Sequence, residues 1–278
     1  MRRSQLAINL VSTRHDSLEQ AFGAYAAAGF AHVEMVIPQL RDYLDEGHTV
    51  GDLGRLLEDR GLDCIGGFDT VLSGFGTAAA RGKNHDQLVR NAELLAGLGA
   101  TTMVVGTDGP ARPMSAEAVI DDLAKAASAV GKRIKGMGVT LCIEFNWSPV
   151  VKSLRTAAQI ARRSRSSHVG VLFDPAHYHC TPSKFDQLDA ENVAMIKHVH
   201  VDDMADKPGE LSDCNADRVL PGRGCLDLKA IFNRIEKLGY RGYYSIEMFS
   251  DRLWAMTPRR AAKLMYNALL PYCRGVKR

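Results

Sequence analysis

Glu144, Asp174, His200 and Glu247 each stand at or next to the C-terminal end of an apolar run, and the four runs are consecutive along a chain of 278 residues. The runs are VTLCIE (139–144), VGVLFD (169–174), IKHVHV (196–201) and GYYSIE (242–247). Three carboxylates and an imidazole gathered in one place would repel one another and would be costly to strip of water. A divalent cation removes that repulsion, and a mixed oxygen and nitrogen donor set suits Mn²⁺, Mg²⁺, Co²⁺ or Zn²⁺. No cysteine belongs to the set, which argues against a structural zinc site.

Strand alternation says whether these side chains can meet. In IKHVHV the valines would face outward, leaving His198 and His200 inward. In VGVLFD, Val171 and Phe173 would face outward and Asp174 inward, and in YYSIE, Glu247 shares a face with Ser245 and Tyr243. His177, three residues after Asp174, is placed to reach a substrate oxygen, with His179 the weaker alternative. Arg218, in a long loop after the seventh run, could bind a hydroxyl, carboxylate or phosphate, whereas Arg223 reads as a surface charge. His198 reads as a supporting or core histidine. Glu34 and Asp69 either line the mouth or face solvent, and Trp147 and Trp254 either form apolar walls or pack in loops.

The elements that must position these groups repeat with one rhythm. Strand-like runs at 5–11, 32–37, 62–68 and 101–105 precede the four site-bearing runs, and helical stretches follow at 17–28, 50–60, 84–98, 115–135, 153–163, 183–191, 227–238 and 258–271. Eight strand–helix units without a break in composition predict a single (β/α)₈ TIM barrel over residues 1–278. In that fold the C-terminal strand ends share one mouth, which is where the acidic and imidazole side chains fall. No Gly-rich dinucleotide loop or Walker pattern competes with this reading. The segment from Asp202 to Gly224 is expected to be a lid or wall of the site.

Composition narrows the function classes. The net charge of +3 is scattered, apart from a short basic tail, so no nucleic-acid surface is expected. No apolar stretch approaches the length of a membrane helix, and the start does not resemble a signal peptide. Six cysteines without framework spacing suit a reducing, cytoplasmic setting. The expected partner is a small-molecule substrate. The sequence leaves the oligomeric state open, a homo-oligomer included.

The segments LCIEFN, FDPAHYH, HVHVDD, RVLPGRG and YYSIEMF together resemble the sugar phosphate isomerase/epimerase group of the xylose-isomerase-like barrels, and the element order matches over nearly the whole chain. The resemblance implies one divalent ion, Mn²⁺ first, held by Glu144, Asp174, His200 and Glu247. It also implies that Glu144 and Glu247 exchange protons with a sugar-like hydroxy-ketone through an enediolate, and that His177 and Arg218 contact substrate oxygens. Epimerases of the group often carry another glutamate six residues after the first ligand; here that position is Val150, which confines the reading to a reaction class. The alternative is a dehydratase of an inosose or dehydroshikimate-like substrate, toward which IEMFSDRLW leans. A barrel that binds a sugar without turnover is the third reading. Endonuclease IV shares the barrel, but Asp69, Gly106 and Ala216 stand where its further ligands would be expected.

Overall fold

Short β-branched runs separated by helix-length segments have the connections that parallel pairing needs, and they pair in parallel around a closed ring. In this computed structural model, which describes residues 1–274, the ring strands are β1 (Leu6–Asn9), β2 (His32–Val36), β3 (Asp63–Leu72), β4 (Thr102–Thr107), β5 (Thr140–Glu144), β6 (Val169–Phe173) and β7 (Ile196–Val201). The two-residue strands β8 (Asp203–Met204) and β9 (Arg218–Val219) follow, and β10 (Tyr244–Ile246) closes the ring beside β1. Every ring pairing is parallel, in the order β1-β10-β7-β6-β5-β4-β3-β2. The eight expected strands are therefore the eight of the barrel.

Alternation divides the core as expected. Met103, Val105, Leu141, Ile143, Val171, Phe173, Val199 and Val201 face outward into one large apolar layer shared with the helices. On the inner face, Val104, Cys142 and Leu172 form a small separate cluster against Phe68 and Trp147. Helix ends follow local chemistry. Ser17 caps Leu18–Ala28 at its N-terminus, and Gly29 closes it at φ 110°, a left-handed conformation that glycine adopts without a Cβ clash. All six cysteines are unpaired, and no described helix is long and apolar enough to cross a membrane.

Three departures from the sequence reading bear on the site. Strand β3 runs on to Leu72 beyond an irregularity between Phe68 and Val71. A helix at Ile37–Asp45 was not expected; its Pro38 sits in the first turn, where a missing N–H costs nothing, and Ile37 and Leu40 are buried. Between Asp174 and β7 the expected helix at 183–191 is replaced by single turns at Phe185–Gln187 and Ala190–Val193, with a short helix at Pro175–His179. That last helix carries His177.

Candidate metal centre

Each of the four side chains reaches the centre by a different local device. Glu144 is the last residue of β5, and its inward direction follows from the alternation with outward Ile143. Asp174 caps the helix that begins at Pro175: one carboxylate oxygen accepts from the His177 N–H at 2.9 Å, which aims the other at the barrel axis. His200 lies on β7 opposite Ser245 of β10. Glu247 follows β10 directly, and its backbone N–H donates to Val201 at 3.2 Å. One donor atom from each of the four lies within 4.8 Å of those of the other three, and all four residues are buried.

The donor set fits a divalent ion by geometry as well as by type. Four donors about 2.1 Å from a shared ion in a tetrahedral array would lie about 3.4 Å apart. His200 Nδ1 stands 3.4 Å from Asp174 Oδ2, 3.2 Å from Glu247 Oε2 and 3.8 Å from Glu144 Oε1. Glu144 Oε1 is buried without a well-aligned hydrogen bond, its nearest side-chain nitrogens being His177 Nε2 at 3.3 Å and His200 Nδ1 at 3.8 Å, which suits an oxygen that a cation would satisfy.

Around these donors lies a tight shell of charge. Arg218, on β9, places Nη1 at 2.7 Å from Asp202 and 2.9 Å from Glu247, and Nη2 at 3.1 Å from Asp174. Its side chain is fully buried and lies over the Phe249 ring at 5.2 Å. Burial and the neighbouring Asp174 push the Asp202 carboxyl well above its ordinary range, against the pull of Arg218. Burial disfavours the charged His177 ring, yet Asp174 and Glu144 together raise it well above the usual imidazole range. The His200 ring is likewise raised by Glu247 and Glu34 in spite of its burial.

His177 sits with Nε2 3.3 Å from Glu144 and Nδ1 3.0 Å from the Asn146 amide. A cavity of about 300 Å³ opens over the centre. Glu144, His177, His200, Arg218 and Glu247 border it on one side, and Phe68, Trp147 and Phe249 supply aromatic walls. The expected wall residue Trp147 is thus in the cavity, whereas Trp254 packs beside it and donates to Val11 O at 2.9 Å. The expected lid from Asp202 to Gly224 contributes Cys214, Asn215 and Arg218 to the lining.

Other residues singled out from the sequence fall elsewhere. His179 hydrogen-bonds Lys207 O at 2.9 Å, away from the centre. Arg223 is exposed. Asp69 does not reach the four candidate donors: partly buried, it accepts from Arg41 at 2.7 Å and from Asn91 at 2.8 Å. Two further residues touch the centre. Asn9, an inward amide ending β1, donates to Glu247 Oε1 at 3.0 Å, and its signal was a lone polar residue closing an apolar strand. Asp202 is the second, visible only as the first of two aspartates after β7.

Gly106 shapes the aromatic wall. A Cβ there would strike the Trp147 carbonyl and come within 2.8 Å of the indole. Gly106→Ala is therefore expected to push Trp147 into the cavity, raising KM severalfold and costing about 1–3 kcal/mol of stability. Steady-state kinetics together with urea melts would check it; unchanged values in both would show that the wall yields freely.

Residues 22–268 match the family described as Xylose isomerase-like TIM barrel. An inosose isomerase from Bacillus velezensis is 31% identical over 129 residues, covering 45% of this chain and 45% of that protein. A 3-dehydroshikimate dehydratase from Pseudomonas aeruginosa is 28% identical over 270 residues, 94% of this chain and 40% of the dehydratase. The matches thus span less than half the length of either relative. Among solved structures, the IolI protein with a bound zinc atom superposes with a TM-score of 0.84 at 21% identity, over 96% of this chain and 97% of that one, a likeness of fold. With a closed ring of eight parallel strands and a family match across most of its length, the chain belongs to the xylose isomerase-like TIM barrel family.

Proposed function

We propose that this chain is a metal-dependent isomerase or epimerase of a neutral sugar-like or inosose-like hydroxy-ketone. The observation that carries the reading is the pair of glutamates. Strands β5 and β10 stand three places apart in the ring, yet Glu144 and Glu247 bring donor atoms to one cluster beside one cavity. Glu144, Asp174, His200 and Glu247 would hold one divalent ion, Mn²⁺ in the first instance, with Zn²⁺ suggested by the IolI neighbour. When bound, such an ion supplies Lewis-acid polarisation of a carbonyl and its adjacent hydroxyl.

The protein's own groups account for the rest. One glutamate takes the proton from the carbon beside the carbonyl, and the other returns a proton from a different side of the enediolate. His177 Nε2 and the Arg218 Nη2 corner, whose close partner is the Asp174 carboxylate at 3.1 Å, hold substrate oxygens. Phe68, Trp147 and Phe249 exclude water from the reacting carbon. Among the described residues lining the cavity Arg218 is the only guanidinium or ammonium group, and Asp174, Asp202 and Glu247 surround it. The charge of Arg218 is matched by these acids and that of His177 by Glu144 at 3.3 Å, which favours a neutral substrate.

The dehydratase similarity over 94% of the chain favours a second reading, in which the same proton abstraction is followed by loss of water. Metal-loaded protein in deuterated water, offered inososes, ketohexoses and dehydroshikimate, separates the two. Deuterium entering a neutral ketone without dehydration is the expected result. Appearance of an ultraviolet-absorbing enone would transfer the assignment to the lyase, and turnover confined to dehydroshikimate would overturn the neutral-substrate reading.

A further inference from the structure

Glu34 lies inside the barrel with no solvent exposure, on the opposite side of the His200 ring from the metal donors. Both of its oxygens lie within hydrogen-bond reach of His200 Nε2, at 3.0 and 3.1 Å. Its Oε2 also stands 3.1 Å from His198 Nε2, and His198 Nδ1 continues to Thr102 Oγ1 at 3.1 Å. Glu34, His198 and His200 are all essentially buried. A carboxylate buried beneath three others adds to their mutual repulsion, and the two imidazoles beside it are the groups that offset that cost.

We propose that Glu34 is the positioning residue of the metal centre: by accepting from His200 Nε2–H, it fixes the tautomer whose Nδ1 lone pair faces the ion. A neutral imidazole carries one N–H. With that hydrogen on Nε2, Nδ1 is free to ligate; with it on Nδ1, an N–H points at the other donors and the ring cannot bind the ion. A carboxylate accepts only, so it selects the first form, and its charge makes the imidazole a stronger donor to a metal. A glutamine of the same length presents an amide N–H as readily as its carbonyl and loses both effects. The arrangement serves any divalent ion the centre takes, and the proposal rests on reading the four-donor cluster as a metal site.

The test is titration of the metal-free full chain with Co²⁺, followed by calorimetry and by the visible absorption of the bound ion. Glu34→Gln is expected to weaken Co²⁺ binding about 10- to 100-fold, the usual cost of losing such a partner, and to shift the absorption bands. The same substitution in a His200→Gln background is expected to have no further effect on affinity, because its action passes through the ring. Nitrogen-15 imidazole spectra of metal-free wild-type and Glu34→Gln protein, followed up to a pH at which the ring has lost its charge, give a readout that does not depend on the ion, with His200 expected to lose its preference for the Nε2–H tautomer. Wild-type affinity in Glu34→Gln, or an equal loss in both backgrounds, overturns the proposal while leaving the metal site in place. Failure of the wild-type chain to bind Co²⁺, Mn²⁺ or Zn²⁺ overturns the metal reading and this role with it.

Discussion

Glu247→Gln is expected to abolish measurable turnover, with kcat falling by a factor of about 10²–10⁴ from loss of the acid–base group alone. The side chain holds three positions at once. Its Oε1 accepts from Asn9, and its Oε2 faces both His200 Nδ1 at 3.2 Å and Arg218 Nη1 at 2.9 Å. Glutamine preserves the shape and the Asn9 contact while removing the negative charge that binds a cation and the basicity that takes a proton. Metal affinity should therefore fall together with rate, and saturating Mn²⁺ should restore occupancy without restoring kcat. Kinetics at rising Mn²⁺, alongside metal analysis of the purified variant, would separate these losses. Full activity in metal-replete Glu247→Gln would remove Glu247 from proton transfer, and Glu144→Gln would then be the variant to examine.

The second large effect concerns stability. Arg218→Met, which keeps most of the buried volume, is expected to destabilise the metal-free protein by about 3–5 kcal/mol, the cost of stranding buried charge. The guanidinium stands within 3.1 Å of Asp174, Asp202 and Glu247. Even with Asp202 protonated, two carboxylates would lose their cationic neighbour. Because whole domains are stable by only about 5–15 kcal/mol, such a loss would be plain in a urea melt. A divalent ion present at a hundred times its dissociation constant should return about 2.7 kcal/mol by mass action. Melts of wild type and Arg218→Met, each with and without Mn²⁺, test both parts. An unchanged midpoint in the metal-free variant would show that Arg218 serves substrate alone and does not hold the acidic centre together.

The division between sequence and structure follows the range of the forces involved. Alternation is local, so the inward direction of His198, His200 and Asp174 could be read from IKHVHV and VGVLFD without knowing what surrounds them. The same holds for the barrel, since eight apolar runs separated by helix-length segments leave few ways to pair in parallel. The helix at Ile37–Asp45 is not legible in this way, because its apolar pattern is short and Pro38 also suits a loop, and only burial of Ile37 and Leu40 settles it.

By itself the sequence determined the ring of strands and the four side chains that could share an ion, because period and chain order are written residue by residue. Tertiary structure alone decided what each of those side chains touches. Asn9 and Glu247 are 238 residues apart and Glu34 and His200 are 166, separations across which no periodicity carries information. Barrel closure brings β1 and β2 round to β10 and β7, so Glu34 lies behind His200 and Arg218 lies among the acids. The four candidate donors are legible in one dimension; the groups that touch them depend on ring closure, which only the folded chain supplies.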